Sequence, residues 1–417
     1  MNLKTFMKPL TCSLAIVLAA GLCGCGAGRE AATTTLAGDT SANVSGGVSP
    51  GAAPASGTQS PAAGDPSPAS DAPAGADAAS STRTVTDMLG RQVEIPTEVR
   101  SVICNGNNAL RMVTYLQATD LLAGVEETDK GFGTSTRRDY AYAYYDSFKD
   151  LPVIGKGGGS AYTAYPEEIL KAAPDVILTC FVQEAAEQLQ QETGIPVVSI
   201  RCPSANFIDE NWQDALELTA DIVGRQERCR ELLDYIGACK EDLSQRALTV
   251  EDSRKPSVYT GAVTYSGAHG FTGTYANFGP FLAIGAKNVA DETGEASGFQ
   301  VDLEQVLVWD PDVIFLDPGN MSLVNEEYAS APDVFQALTA VREGEVYTMP
   351  AFNNYSTNIT YCLMDAYYAG KVLYPDRFED IDMETKGNEI LEMFLGRGFF
   401  REMEADGLYF GKLTLGE

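Results

Sequence analysis

One pattern occurs twice in the chain and limits its fold more than any other feature. Glu167-Glu168-Ile169-Leu170-Lys171-Ala172-Ala173-Pro174-Asp175-Val176-Ile177 aligns with Glu304-Gln305-Val306-Leu307-Val308-Trp309-Asp310-Pro311-Asp312-Val313-Ile314, every position 137 residues apart. Each copy reads as a short helix led by Glu, a Pro-Asp turn that stops it, and a buried strand. A unit that recurs this way implies two pseudo-symmetric lobes built alike.

The surrounding sequence gives those lobes their class. Short runs apolar throughout suit strands covered on both faces, as in parallel sheets. They fall at Val99 to Cys104, Asp175 to Cys180 and Ile195 to Ile200, then again at Ser257 to Thr260, Val313 to Leu316 and Val346 to Met349. Helical stretches alternate with them, so the expected fold is α/β, two lobes in tandem. Thr84 to Ile95 reads as an opening hairpin turning at Leu89-Gly90. Between the lobes, Ile222, Cys229, Ile236 and Leu243 recur every seven residues, with Leu232 and Leu233 in the same stripe. Gly224 interrupts that stripe and leaves a helix from about Gln226 to Ala247, long enough to bridge two lobes. The expected division is 83–208 for the first lobe, 209–254 for a helical segment with the inter-lobe helix, and 255–417 for the second lobe.

The N-terminal region reads differently. Lys4 and Lys8 precede a mostly apolar run from Leu10 to Leu22, shorter than the ~20 residues a spanning helix needs, so residues 1–24 read as an export signal. Leu22-Cys23-Gly24-Cys25 resembles a bacterial lipobox, and Cys25, preceded by small Gly24 with Leu22 three before it, is the candidate lipidated residue. Residues 25–82 are nearly all Ala, Gly, Ser, Thr and Pro, a composition too poor in apolar surface to offset the entropy of ordering, and read as a tether. The body is therefore expected on the outer face of the bacterial cytoplasmic membrane, held through lipid alone.

Charge and rare residues exclude several functions. With 29 Lys+Arg against 58 Asp+Glu, the net charge of −29 opposes binding to nucleic acid. The chain has one histidine, His269, too few for a multi-histidine zinc site and the single candidate base for any catalytic triad. It has no Gly-x-Ser-x-Gly and no His-Glu-x-x-His, and no acidic pair stands out for glycoside hydrolysis, so a lipid-tethered hydrolase is the weaker alternative and no catalytic residue is assigned. The six cysteines after Cys25 show no metal-ligand spacing and read as buried free thiols. Gly157-Gly158-Gly159 lacks the Gly-Lys-Ser/Thr ending of a phosphate loop.

Taken in order, Ile95-Pro96, Glu167 to Ile177, Gly194-Ile195-Pro196-Val197-Val198, Leu232-Leu233, Asn288-Val289 and Glu304 to Ile314 resemble the substrate-binding lipoproteins of ABC importers. The resemblance is to the class that binds vitamin B12, ferric siderophores and haem, and covers about Thr84 to Leu395. It implies two lobes joined by one rigid helix, a ligand in the cleft between them, and a monomer that delivers its ligand to a permease with its ATPase. The expected ligand is a metal chelate, first a ferric siderophore, then a corrinoid or haem; no resident cofactor or protein-bound metal is implied. The resemblance also implies permease docking through a glutamate on each lobe, by motif position Glu167 and Glu304.

Because α/β sheets present their sites at strand ends, the cleft candidates are loops. On the first lobe they are Asn105, Asn107 and Asn108 after the first strand, Gly155 to Tyr162, and Phe181 to Gln183. On the second they are Tyr265 to Thr274, with His269 inside, Asp317 to Asn320, and Phe352 to Tyr355. His269 can contact ligand or take the open position of a chelated metal, or simply bond to backbone. Arg137 and Arg138 can pair with an anionic ligand, or lie in a solvated loop.

Overall fold

A computed structural model describes residues 81–158, 161–202, 207–248 and 250–416. The expected export signal, Cys25 and nearly all of the tether lie outside the described residues, as does Gly159 of the glycine run.

The chain opens with an antiparallel hairpin, β1 (Thr82–Thr86) and β2 (Gln92–Pro96). Asp87 closes its turn by accepting from the Leu89 and Arg91 amides, and ties it to the body through the Ser199 amide. Five parallel strands then form the first sheet: β3 (Val102–Asn105), β4 (Leu122–Glu126), β5 (Val153–Gly155), β6 (Val176–Thr179) and β7 (Val197–Ser199), in the order β5-β4-β3-β6-β7. The second sheet comprises β8 (Ser257–Gly261), β10 (Lys287–Asn288), β12 (Val313–Leu316), β13 (Val346–Thr348) and β14 (Gly411–Lys412), in the order β10-β8-β12-β13-β14. All its pairings are parallel except that of β14, and β9 (Gly273–Tyr275) pairs β11 (Gly298–Gln300) in a small ribbon beside it. In each sheet the strand order reverses beside its first strand, at β3/β6 and at β8/β12, which is where open α/β sheets form crevices.

Repetition in the sequence becomes repetition in structure, down to the backbone. The two copies form the helices Pro166–Ala172 and Leu303–Trp309, each ended by a residue in the left-handed region, Ala173 at φ 46° and Asp310 at φ 38°, at the same position of the pattern. The aspartate that follows clasps the neighbouring strand. Asp175 accepts from the Arg100 and Ser101 amides at 2.7 and 3.0 Å, and Asp312 accepts from the Ser257 amide and hydroxyl, both at 2.7 Å. Each serine hydroxyl in turn accepts from the aspartate's amide. This clasp explains why β3 starts at Val102 rather than Val99: the amides before it serve Asp175 instead of a ladder.

From the first sheet to the second the chain runs through the helices Glu210–Val223 and Gln226–Leu248, separated by Gly224 at φ +68°, a conformation that strains any residue with a Cβ. The second helix packs against Glu210–Val223, Gly279–Ala283 and the long helix Ile359–Leu373. Strand residues alternate between clusters. Val313 and Phe315 join a core that also contains Val102, Leu178, Leu232, Leu243 and Met364, whereas Ile314 and Leu316 turn to a separate core with Val306 and Phe335. Ile103 and Ile177 do likewise on the first sheet, with Ile169 and Leu189. One apolar core is thus continuous between the two sheets, and each sheet has a second core on its opposite face. Among the described residues no helix is long and apolar enough to cross a membrane. The six cysteines expected as thiols are free, five of them buried and Cys202 half-buried.

Candidate functional site

The loops at the strand ends of the two sheets meet, and on the first-sheet side polar groups are almost fully committed to one another. Glu126, the last residue of β4, is buried and accepts from the Gly106 amide at 2.9 Å, Asn105 at 3.2 Å and Thr163 at 3.4 Å. Its other oxygen takes the Tyr355 hydroxyl at 2.5 Å, and that hydroxyl accepts from the Gly158 amide. Burial and the Glu126 carboxylate push the Tyr355 phenol well above its ordinary range, so it stays a donor. A Cβ on Gly157, at φ +80°, would lie 2.3 Å from a Thr128 methyl and 3.1 Å from the Tyr355 hydroxyl oxygen. Gly157 and Gly158 therefore allow close approach to Tyr355.

Arg111 ties the sides together. Fully buried on the helix Ala109–Tyr115, it donates to the Tyr355 and Asn354 carbonyls at 2.8 Å each, to Asn358 at 2.9 Å, to Asp139 at 3.3 Å and to Asn108 at 3.4 Å. All five guanidinium N–H groups have partners. Asp139, also fully buried, accepts in addition from the Tyr140 amide, Thr360 and Tyr115. Arg138 is buried and committed as well, to the Thr128 carbonyl, Asn354 and Asp129, with its guanidinium 4.5 Å from the Tyr355 ring centre. The hairpin tip after β13, with Tyr355 at φ 54° and Ser356 at φ 73°, is thereby held against the first sheet.

Space opens on the second-sheet side, at its β8/β12 crevice. One cavity of about 120 Å3, partly open to solvent, is lined by Arg137, Thr264, Asp317, Asn320, Asn353 and Asn354, among others. A small apolar recess of about 20 Å3 adjoins it, lined by Val263, Tyr275, Phe278, Met349 and Phe352, and shares Thr264, Asp317, Ala351 and Asn353 with the first. Arg137, from the loop before the helix Asp139–Phe148, is exposed; its guanidinium lies 3.6 Å from where a Cβ on Gly319 would sit, and it makes no hydrogen bond or ion pair among the described residues. Asp317 accepts from the Gly319 amide at 2.9 Å, the Ala351 amide at 3.2 Å and Thr264 at 3.3 Å. Burial outweighs those bonds and pushes its carboxyl up to about 6.

The candidates from sequence thus divide. Phe352 lines the smaller cavity, and Tyr355 crosses between the sheets. Asn105 and Asn108 are buried in the first-sheet network, whereas Asn107 is half-buried with no side-chain partner among the described residues. Phe181 is fully buried in the outer core of the first sheet, with the half-buried Tyr162 against it at 5.9 Å between ring centres, and the Tyr162 hydroxyl bonds Glu192. Tyr265 and His269 stack on each other at 3.9 Å, and the His269 Nε2 lies 2.8 Å from the Tyr265 carbonyl. A carbonyl only accepts, so Nε2 is the donor in this bond. No group of three or more His, Cys, Asp or Glu side chains is placed to hold a metal among the described residues. Glu167 and Glu304 are exposed in the first turns of their helices.

Sequence reasoning missed Arg111, Glu126 and Asp139. A lone arginine inside the apolar run Ala109-Leu110-Arg111-Met112-Val113 was the available signal, because a charge on a buried helix demands a buried partner.

The family model described as periplasmic binding protein matches residues 112–352, more than half of the chain. The molybdate-binding protein MolA of Haemophilus influenzae is 26% identical over 357 residues, covering 76% of this chain and 92% of that protein. Its molybdate-bound structure superimposes with a TM-score of 0.56 at 22% identity, over 76% of this chain and 99% of that one. A periplasmic solute binding protein of Veillonella parvula gives a TM-score of 0.61 at 19% identity, over 79% of this chain and 97% of that one.

Proposed function

We propose a function from the premise that this chain belongs to the periplasmic binding protein family: it is the substrate-binding protein of an ABC importer, and its solute is a metal chelate, first of all a ferric siderophore. The observation that carries the finer reading is the cavity at the β8/β12 crevice, with the uncommitted Arg137 guanidinium on its wall. An exposed guanidinium with no hydrogen bond or ion pair of its own, beside an open cavity, is free to take an anionic solute. A corrinoid or haem, a chelate of the same importer class, is the second choice. A second reading, a metal oxyanion, draws support from the molybdate-binding relative.

Elemental analysis and native mass spectrometry of the protein purified from a metal-replete culture test this. Iron with an organic mass other than that of haem supports the siderophore, molybdenum without an organic mass supports the oxyanion, and a metal-free solute at full occupancy overturns both.

Delivery follows from the repeat. We propose that Glu167 and Glu304, at equivalent positions of two like helices, meet two like basic patches on the permease, steering encounter and register more than adding affinity. Lipidation at Cys25 would keep the protein beside that permease. Reversing both charges, Glu167→Arg with Glu304→Arg, is expected to abolish uptake while solute affinity and thermal stability stay as in the wild type. Uptake at the wild-type rate would leave the glutamates only their favourable place at helix N-termini.

A further inference from the structure

Arg137 has a free tip on a fixed base. Its guanidinium makes no hydrogen bond or ion pair among the described residues, yet both backbone groups of Arg137, and of Thr136 before it, are engaged. The Arg137 amide donates to the Ser135 hydroxyl oxygen at 3.3 Å, the Arg137 carbonyl accepts from Asn358 at 3.1 Å, and the Thr136 carbonyl accepts from the Tyr361 hydroxyl. Asp406 gathers the rest of the turn. One oxygen of its carboxylate accepts from the Thr136 amide and hydroxyl, each at 2.9 Å, and from the Ser135 hydroxyl at 3.0 Å. Asp406 occupies the C-cap of the helix Phe400–Ala405, where the dipole disfavours a carboxylate, so its own helix gives no reason for it. Leu408, two residues on, is buried and lines the same cavity as Arg137. Asn358, Tyr361, Asp406 and Leu408 all lie beyond residue 352, where the match to the family model ends.

Resting on the reading of this crevice as the solute site, we infer that Asp406 is a positioning residue for it: by holding the Ser135-Thr136 turn, Asp406 keeps the Arg137 guanidinium at the cavity wall before any solute arrives. An arginine side chain is rich in rotamers, and ordering it together with a loose backbone takes away from affinity. A backbone already fixed through both neighbouring peptides leaves only the side chain to be ordered. Asp406 also acts in the opposite sense, because its negative charge, two residues from the cavity-lining Leu408, repels an anion. The two effects carry opposite signs when the residue is replaced, and that makes them separable.

Calorimetric titration of the full chain, stripped of solute, tests this with two anionic probes, ferric citrate and sodium molybdate. Asp406→Ala frees the turn and is expected to weaken the probe that the wild type binds by about fivefold or more, although loss of the negative charge alone would tighten it. Asp406→Asn keeps a carbonyl oxygen for the turn and is expected to recover the wild-type affinity or exceed it. In an Arg137→Gln background, Asp406→Ala should change affinity by less than about twofold, because the group through which it acts is gone. Thr136→Val removes one of the donors from the other side and should weaken the probe in the same direction where Asp406→Ala does not fold. Undiminished or tighter binding by Asp406→Ala, or an equal loss in the Arg137→Gln background, overturns the positioning role and leaves the crevice as the solute site. Failure of the wild type to bind either probe overturns the reading of the crevice itself, and the positioning role with it.

Discussion

The strand ends of the first sheet and those of the second are built from similar polar residues and put them to opposite uses. At the first, Glu126, Arg111, Asn108 and Arg138 are buried and spend nearly every donor and acceptor on one another or on the Tyr355 hairpin. At the second, Arg137 is exposed without a hydrogen bond or ion pair among the described residues, its charge acting only on the nearby Asp317, which forms the wall of two cavities. The difference separates structure from recognition. A fully paired buried network fixes geometry and has nothing left to offer a ligand, whereas an unpaired cation beside empty space does. The wired half and the core continuous between the sheets both limit how far the lobes can part.

The largest effect is expected from breaking the wired half. Arg111→Met leaves Asp139 a buried charge without its cation and frees two backbone carbonyls of the hairpin. Removing one partner of a buried pair costs about 3–5 kcal/mol. Denaturant unfolding should show that loss as a lower midpoint with an unchanged slope. A midpoint equal to the wild type's would mean the network is ornamental and the contrast between the halves false.

A change on the open half should do the reverse. Arg137→Gln, on an exposed residue whose guanidinium holds no partner, should shift stability by no more than about 0.5 kcal/mol. The same variant should weaken an anionic solute by about tenfold or more, the loss of one charge-assisted contact. If affinity holds and stability falls, Arg137 belongs with Arg111.

How much of this the sequence showed depends on the range over which each signal acts. The helix Gln226–Leu248 and the strand Val313–Leu316 were legible because their patterns are local, a seven-residue stripe and an apolar run. The repeat was legible too, but its reason was not: the Asp175 and Asp312 clasps join residues 74 and 55 positions apart. β4 and β5 escaped notice, since Leu122-Ala123-Gly124-Val125-Glu126 is diluted by small residues and Val153–Gly155 is only three long. At the site, the loops Asp317 to Asn320 and Phe352 to Tyr355 were indicated by position after a strand. Whether Asn105 would be spent on Glu126 while Asn107 stayed uncommitted depends on contacts across the fold, which no local spacing encodes.

The smallest effect sharpens the open half through proton linkage at Asp317. Its folded carboxyl titrates at about 6 because it is buried, above its ordinary 3.8. The group is mostly neutral in both states below about pH 3. As pH rises from there toward 6 the unfolded chain ionises first, so the protein loses stability across that window, by up to about 3 kcal/mol for a shift of about two units. Above it the ionised carboxylate also faces any anion beside Arg137. Affinity for an anionic solute should therefore rise as pH falls from 7.5 to 5.5, by about fivefold, the ~1 kcal/mol scale of like charges separated by several ångströms near a surface. Asp317→Asn keeps an oxygen for the Gly319 and Ala351 amides, and should flatten both the stability slope and the affinity slope. Comparing the variant with the wild type at each pH cancels any protonation of the solute itself. Parallel affinity profiles for the two proteins would place the bound anion away from the Asp317 wall, and with it away from the junction of the two cavities.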